Sequence, residues 1–402
     1  MGSYLFSGLK VIDAATVIAA PAAAMMLAEY GADVIKIEHP DGDFLRRVKE
    51  LKGQGEEKED YMWQLDGRNK RGIVLDLRSA DGMEVLLKLA AQCDVFITNQ
   101  PFAMRDKFGF NYEDLRELNP GMIYASLSAY GEQGPERNRK AFDQIAYWAR
   151  SGLLDMLRWK GVRPVQGLSG MGDHPTAMTI YAGIVTALLH RERTGEGSYV
   201  HTSLMANGLW SNAATTQGML SGGDTELFRK GRTETPGVTM GVYRCSDDRW
   251  LQFNMVRGLE EFTTLLLTID ATDLIVRFGL NEYQDILDNS AELGLALKDA
   301  FLDRSSDEWL TIFKEAGLEV NRVGRVEELA TDIQAFENDM IVEPTDPEIT
   351  MPLLVKHPLQ ISSLSQVEPK RSPRLGEHAE EILRELGYDD AAIKRMRDEG
   401  VI

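Results

Sequence analysis

The chain has 402 residues, 43% hydrophobic and 27% charged, the composition of a globular protein long enough for two or three domains. Its 44 lysines and arginines stand against 63 aspartates and glutamates, a net charge of −19, which argues against nucleic acid or anionic membrane as a partner. An anionic ligand, if one binds, must meet a local cluster of cations.

The first half alternates short β-branched runs with helical patterns. Strands are expected at Leu9–Ala14, Asp33–Glu38, Arg71–Leu77, Asp94–Thr98, Met122–Ser128 and Ser198–Ser203. Helices are expected at Pro21–Tyr30, Gly82–Ala91, Tyr112–Leu118, from Phe142 to about Leu157, and from Pro175 to Arg193. This βαβα rhythm predicts a mostly parallel sheet with helices on both faces. Beyond a polar stretch at 204–224 the character changes. Met240–Cys245 and Arg249–Met255 flank a Ser-Asp-Asp turn and read as an antiparallel hairpin. Helices follow at Leu259–Leu267 and Ser305–Ala316, the latter opened by a Ser305-x-x-Glu308 capping box. Six prolines between 344 and 373 imply an extended connector, and the tail from Glu377 is helical again. The domain reading is therefore a large domain over 1–203, a linker over 204–224, a small α+β domain over 225–335, a connector over 336–374, and helices over 375–402 that return to the large domain. Residues 14–28 are too short, and 203–223 too polar, to span a bilayer, and no signal peptide is visible; a soluble protein is expected. Cys93 and Cys245 make neither a disulfide framework nor a metal cluster, which suits a reducing, cytoplasmic setting.

Several familiar chemistries lack their residues. The first βα junction, Asp13 to Pro21, has no glycine, so a dinucleotide pyrophosphate has no backbone cradle there. There is no phosphate-binding G-x-x-x-x-G-K-[ST], no HExxH and no G-x-S-x-G. What remains is a carboxylate. Asp173 ends the Gly-rich run Gly170-Met-Gly172 and stands where Pro175 starts a helix. Two roles are open to it there: a helix cap, or a nucleophile able to form an acyl anhydride, with backbone N–H groups of the helix start as oxyanion donors. Lys36, His39, Lys70, Arg71, Arg78, Lys107, Arg139 and Lys140 lie at strand ends or in the loops after them, where an open α/β sheet binds ligands. Singly each reads as a surface charge; together they suggest a phosphorylated nucleotide.

From end to end the chain resembles the class III coenzyme A transferases. The resemblance is carried by Gly8-Leu-Lys-Val-Ile-Asp13, Ala19-Ala-Pro21, Leu27 to Glu38, Asp41-Gly-Asp43 with Arg46, Asn69-Lys-Arg71, Phe108-Gly-Phe110, Leu118-Asn-Pro120, Gly172-Asp173, Arg193-Thr-Gly-Glu-Gly197 and Leu375-Gly-Glu-His378. It implies a Rossmann-like large domain joined to a smaller α+β domain, in an interlocked-ring homodimer or a related heteromer. It also implies that Asp173 is the nucleophile, passing CoA from an acyl-CoA donor such as succinyl-CoA to a carboxylic acid through aspartyl anhydride and aspartyl-CoA intermediates. Coenzyme A is then a co-substrate; no permanently bound cofactor and no metal are expected. Position by position, the resemblance assigns Val17, Ala19, His39 (where relatives often carry Arg), Leu75, Arg78, Asn99, Lys107 and Lys140 to CoA. Arg46 or Arg47 is a candidate partner for the second carboxylate of a dicarboxylic substrate. An acyl-CoA racemase of the same fold is the alternative, but its proton-carrying His is replaced by Phe142. Membership of a heteromeric transferase is a further alternative. The glycine-rich lid of some relatives has only Val256-Arg-Gly258-Leu259 near its place.

Overall fold

The computed structural model describes residues 4–50, 60–159, 161–225, 238, 241–253 and 257–402. These fall into two compact units, one drawn from 1–155, 166–216 and 333–402, the other from 156–165 and 217–332.

The first unit is built on six parallel strands: β1 (Lys10–Asp13), β2 (Asp33–Glu38), β3 (Arg71–Val74), β4 (Val95–Thr98), β5 (Ile123–Ser128) and β6 (Ser198–Ser203). Their order is β3-β2-β1-β4-β5-β6. Strand order therefore reverses between β1 and β4, where Val11 lies opposite Val34 on one side and Val95 on the other. In such a sheet the loops leaving these two strands open a crevice for a ligand. Helix α1 (Ala19–Glu29) follows β1, and all eleven of its residues are buried. Its alanines let α1 lie close against the sheet and against the long α7 (Asp173–Thr194), burying Ile180, Tyr181 and Ile184 in one core. The other face is covered by α3 (Ala80–Ala90) and α5 (Tyr112–Leu118), with the short α2 (Tyr61–Gly67) and α4 (Phe102–Phe108) after β2 and β4.

One expected helix is broken. Between Phe142 and Leu157 the chain makes a π-helical turn at Gln144–Ala149 and restarts as α6 (Leu153–Leu157). The cause is local: Ser151 returns its hydroxyl to the Tyr147 carbonyl, and Gly152 takes φ +87°. Helix α8 (Leu204–Ser211) packs on this turn through Gly208, where a Cβ would stand 2.1 Å from the Tyr147 carbonyl oxygen.

The second unit has an antiparallel sheet of β7 (Val242–Arg244), β8 (Trp250–Phe253) and β9 (Val320–Arg322). The expected hairpin ends Met240 and Met255, and Val256 of the sought lid, lie outside the described residues. Helices α9 (Leu259–Thr268), α10 (Ser290–Phe301) and α11 (Ser306–Glu315) cover the sheet with Phe262, Leu297, Phe301 and Phe313. The Ser305–Glu308 capping box is present at α11. Of the proline-rich stretch, only Ile341–Val342 and Leu354–Val355 pair as strands. The chain ends in α12 (Ala379–Glu385) and α13 (Asp390–Asp398), whose Ile382, Leu383, Ile393 and Met396 are buried with Ile35, Ile73 and Leu86 of the first unit. No helix among the described residues is long and apolar enough to cross a membrane.

Candidate active site

Asp173 is the first residue of α7, with Gly172 before it as cap. The cap position is Gly172, which has no side chain to cap with, so Asp173 does not stand at the cap position that the sequence left open to it. The backbone donors of this helix start are also engaged. The N–H groups of Asp173 and His174 both donate to the Gly170 carbonyl, at 3.1 Å each, and the Gly172 N–H donates to Asp143 Oδ2 at 3.1 Å. Pro175 has none. An oxyanion hole from these groups, as the sequence suggested, is therefore not available in this arrangement.

Three side chains surround the carboxylate. Asp143, at the head of the π-helical turn, is buried and holds the Gln144 and Gly172 N–H groups. Asp66, from α2, is 1% exposed, and its Oδ1 lies 3.2 Å from Nε2 of His174. Among the described residues the other oxygen of Asp66, Oδ2, has no hydrogen-bond partner. Burial, then the negative charge of Asp143 and that of Asp66, push the Asp173 carboxyl up to about 7, against the opposing pull of His174. Burial works against a charge on His174, but the hydrogen bond and charge of Asp66 outweigh it and raise the imidazole above its ordinary range. Gly172 is required where it stands, since a Cβ there would be 2.6 Å from Cγ of Tyr147.

Asp173 opens onto a cavity of about 600 Å³ at the switch point of the sheet. Of the residues the resemblance assigned to CoA, Val17, Ala19, Asn99 and Lys140 line this cavity together with Asp173. His39, Leu75, Arg78 and Lys107 line a second one of about 340 Å³, and Thr16 and Gln100 border both. Val17, at the tip of the first βα loop, has φ +67°, a strained conformation for a β-branched residue. It is held there by Asp43, whose carboxylate accepts the Val17 N–H at 3.2 Å. Asn99 ties the same loop to β4, accepting from the Thr16 N–H at 2.9 Å and donating to the Thr16 carbonyl at 2.7 Å. Arg78 stays exposed but is braced by Asp76 at 2.8 and 2.9 Å, while Nδ1 of His39 accepts the Asp41 N–H.

Not all the cations of the sequence reading face ligand space. Lys36 and Lys70 are buried in ion pairs: Lys36 with Asp43 at 3.3 Å and Asp13 at 3.8 Å, Lys70 with Asp13 at 2.8 Å. Arg71 is tied to Asp33, Glu381 and Glu385. Arg46 grips Glu38 through two nitrogens, donates to the Pro373 carbonyl and stacks on Trp63, so it is committed elsewhere than to a dicarboxylic substrate. Two further cations, Arg105 and Arg137, line the larger cavity, each stacked on the Phe102 ring, 4.0 and 4.2 Å from its centroid. The sequence reading missed Asp66. It is distant in sequence from Asp173, and only the placement of α2 brings them together.

The model of the CoA-transferase family III matches residues 6–379. The chain is 30% identical to (R)-2-hydroxy-4-methylpentanoate CoA-transferase of Clostridioides difficile over 399 residues, 99% of each chain. It is 32% identical to cinnamoyl-CoA:phenyllactate CoA-transferase of Clostridium sporogenes over 394 residues, 98% of this chain and 96% of that one. Among solved structures, a CAIB/BAIF family protein from Brucella suis shares the fold with a TM-score of 0.82 and 24% identity, covering 96% of this chain and all of that one. With that match across nearly its whole length, the chain belongs to the family III CoA-transferases and is an enzyme of that type.

Proposed function

We propose that the protein moves CoA from an acyl-CoA donor to a carboxylic acid with Asp173 as the nucleophile. The observation that carries this reading is a carboxylate on the first residue of a helix that lines the switch-point cavity. In the first step an Asp173 oxygen attacks the thioester carbonyl, the C–S bond breaks, and CoA leaves as thiolate beside an acyl–aspartyl anhydride. The thiolate attacks the Asp173 carbonyl, expelling the donor acid and leaving an aspartyl–CoA thioester. The acceptor carboxylate attacks that thioester, giving a second anhydride and free thiolate. Attack of the thiolate on the acceptor's acyl carbon yields the new acyl-CoA and restores Asp173.

In this reading the nucleotide end of CoA lies among His39, Leu75, Arg78 and Lys107, and its thioester end passes Val17, Ala19, Asn99 and Lys140 toward Asp173. The names of two relatives point to 2-hydroxy acids with apolar side chains as acceptors, and the commitment of Arg46 to Glu38 removes one candidate for holding a second carboxylate. Phe142 lines the cavity and carries no proton, which favours transfer over racemisation. The test is incubation with a panel of acyl-CoAs, succinyl-CoA and apolar 2-hydroxyacyl-CoAs included, followed by hydroxylamine and mass spectrometry. Modification is expected at Asp173 and lost in Asp173→Ala; full transfer activity in that variant would sink the reading.

A further inference from the structure

We propose that the Asp66–His174 pair is a positioning device for the nucleophile: Asp66 holds a positively charged imidazole next to Asp173, and that charge favours the ionised form of Asp173 in surroundings that disfavour it. The inference rests on Asp173 being the nucleophile. Its basis is geometric. Asp66 is buried at the C-terminal end of α2, which places its Oδ1 3.2 Å from Nε2 of His174. A buried carboxylate with one oxygen otherwise unpartnered is stable only near a cation; Oδ1 of Asp66 meets the half-exposed ring of His174, and the buried Lys70 also lies within reach of its charge. The Gly170 carbonyl beside the ring further favours its charged form.

The need for such a device is visible in what else faces Asp173. From the π-helical turn comes the buried carboxylate of Asp143, and from α2 that of Asp66 itself, both repelling a third negative charge. On its own helix, His174 supplies the opposing charge. His174 itself does not line the cavity; the cations that do, Arg105, Arg137, Arg139 and Lys140, have tasks of their own or face the cavity space: Arg105 binds Tyr124 and Ser126, and Arg139 binds Glu136. The helix start adds little, because its N–H groups are occupied. His174 is thus the cation whose place beside Asp173 is set by the chain itself. Asp66 both repels Asp173 and fixes His174, and the arrangement gains because the imidazolium adjoins the nucleophile.

The pair can be tested without knowing the substrate. Protein labelled with 13C at the aspartate side-chain carboxyl is titrated from pH 4 to 9, and the Asp173 resonance is the one missing in Asp173→Asn. In His174→Gln its midpoint is expected to move up by about one pH unit, and His174→Lys, which restores a charge, to bring it back toward the original value. In Asp66→Asn the imidazole of His174, followed by its own resonance, is expected to titrate at lower pH. The acid limb of kcat/KM for the best acyl-CoA of the panel should follow the Asp173 midpoint, which a merely structural His174 would not cause. An unchanged Asp173 midpoint in His174→Gln, or an unmoved His174 in Asp66→Asn, overturns the proposal. If instead Asp173→Asn retains full transfer activity, the nucleophile reading fails whatever the titrations give, so the two failures are distinct.

Discussion

At the scale of the single residue, Asp173 holds a carboxyl about three pH units above its ordinary value inside a folded protein, and linkage makes that a statement about stability. The unfolded chain ionises it near pH 4, the folded chain near pH 7. Between those values the unfolded state releases a proton that the folded state keeps, so stability falls as pH rises through this window and levels off above it. Replacing Asp173 by Asn removes the penalty. The variant should be more stable than the parent, the difference growing between pH 4 and 7 to as much as ~4 kcal/mol above it. Thermal unfolding of both proteins at pH 5 and 8 measures this. A larger gain at pH 5 than at pH 8 would contradict the assigned direction. If Asp173 is the nucleophile as proposed, this loss is the usual trade between function and stability. Asp173 was legible as a candidate because Gly-rich runs and Pro175 bracket it locally. Its electrostatics were not, since they depend on Asp143 and Asp66, which no spacing along the chain connects to it.

Elements convert these residues into geometry, and two of them are strained or crowded at the site. Gly172 sits so close to Tyr147 that a methyl group would lie 2.6 Å from the ring, and the ring is itself fixed by a 2.6 Å bond from its hydroxyl to Ser211. Gly172→Ala should therefore displace the start of α7 rather than the tyrosine. The expected cost is about 2 kcal/mol in stability and a fall in kcat of roughly 10- to 100-fold, with KM for the acyl-CoA changing less. Denaturant unfolding and steady-state kinetics separate the two effects. The first βα loop behaves differently. Val17 keeps φ +67° because Asp43 accepts its N–H, and Asp43 is in turn held by Lys36. Asp43→Ala leaves Lys36 short of one buried partner, at about 3 kcal/mol, and removes the acceptor of the Val17 N–H, which frees Val17 to relax. KM for acyl-CoA should rise several-fold with kcat less affected; the reverse pattern would show that the loop serves the chemistry rather than the ligand. The strands were legible because buried parallel strands are rich in β-branched residues. The role of Lys36 within β2 was not. In Asp33–Glu38 a lysine among apolar neighbours reads as a residue facing solvent, yet Lys36 is buried among carboxylates. Short helices such as α2 and α4 carry too few turns to show a period, which hid Asp66 and Arg105 with them.

Over the whole molecule, the net charge of −19 and the requirement to bind a polyanion pull in opposite directions, and distance decides between them. Cations lining the two cavities, Arg137, Arg139 and Lys140 in one and Arg78 and Lys107 in the other, would act within a few ångströms of CoA bound as proposed. Asp173, Glu38 and Asp76 line these cavities too, and the acids outside the two linings act from farther away. Salt screens the two over different ranges, with a Debye length of about 30 Å at 0.01 M, about 10 Å at 0.1 M and about 3 Å at 1 M. Raising salt from 0.01 to 0.1 M should remove most of the long-range repulsion while leaving local attraction largely intact, so CoA affinity should rise or hold. From 0.1 to 1 M the local contacts are screened as well, and affinity should fall several-fold. Calorimetric titration of CoA across that range should thus show a maximum near 0.1 M. Lys140→Ala should flatten the high-salt limb and leave the low-salt limb in place, because it removes a local charge but barely alters the total. A monotonic fall from the lowest salt would mean that the cavity cations dominate at every distance, and that the acidic surface has no part in how this ligand is met.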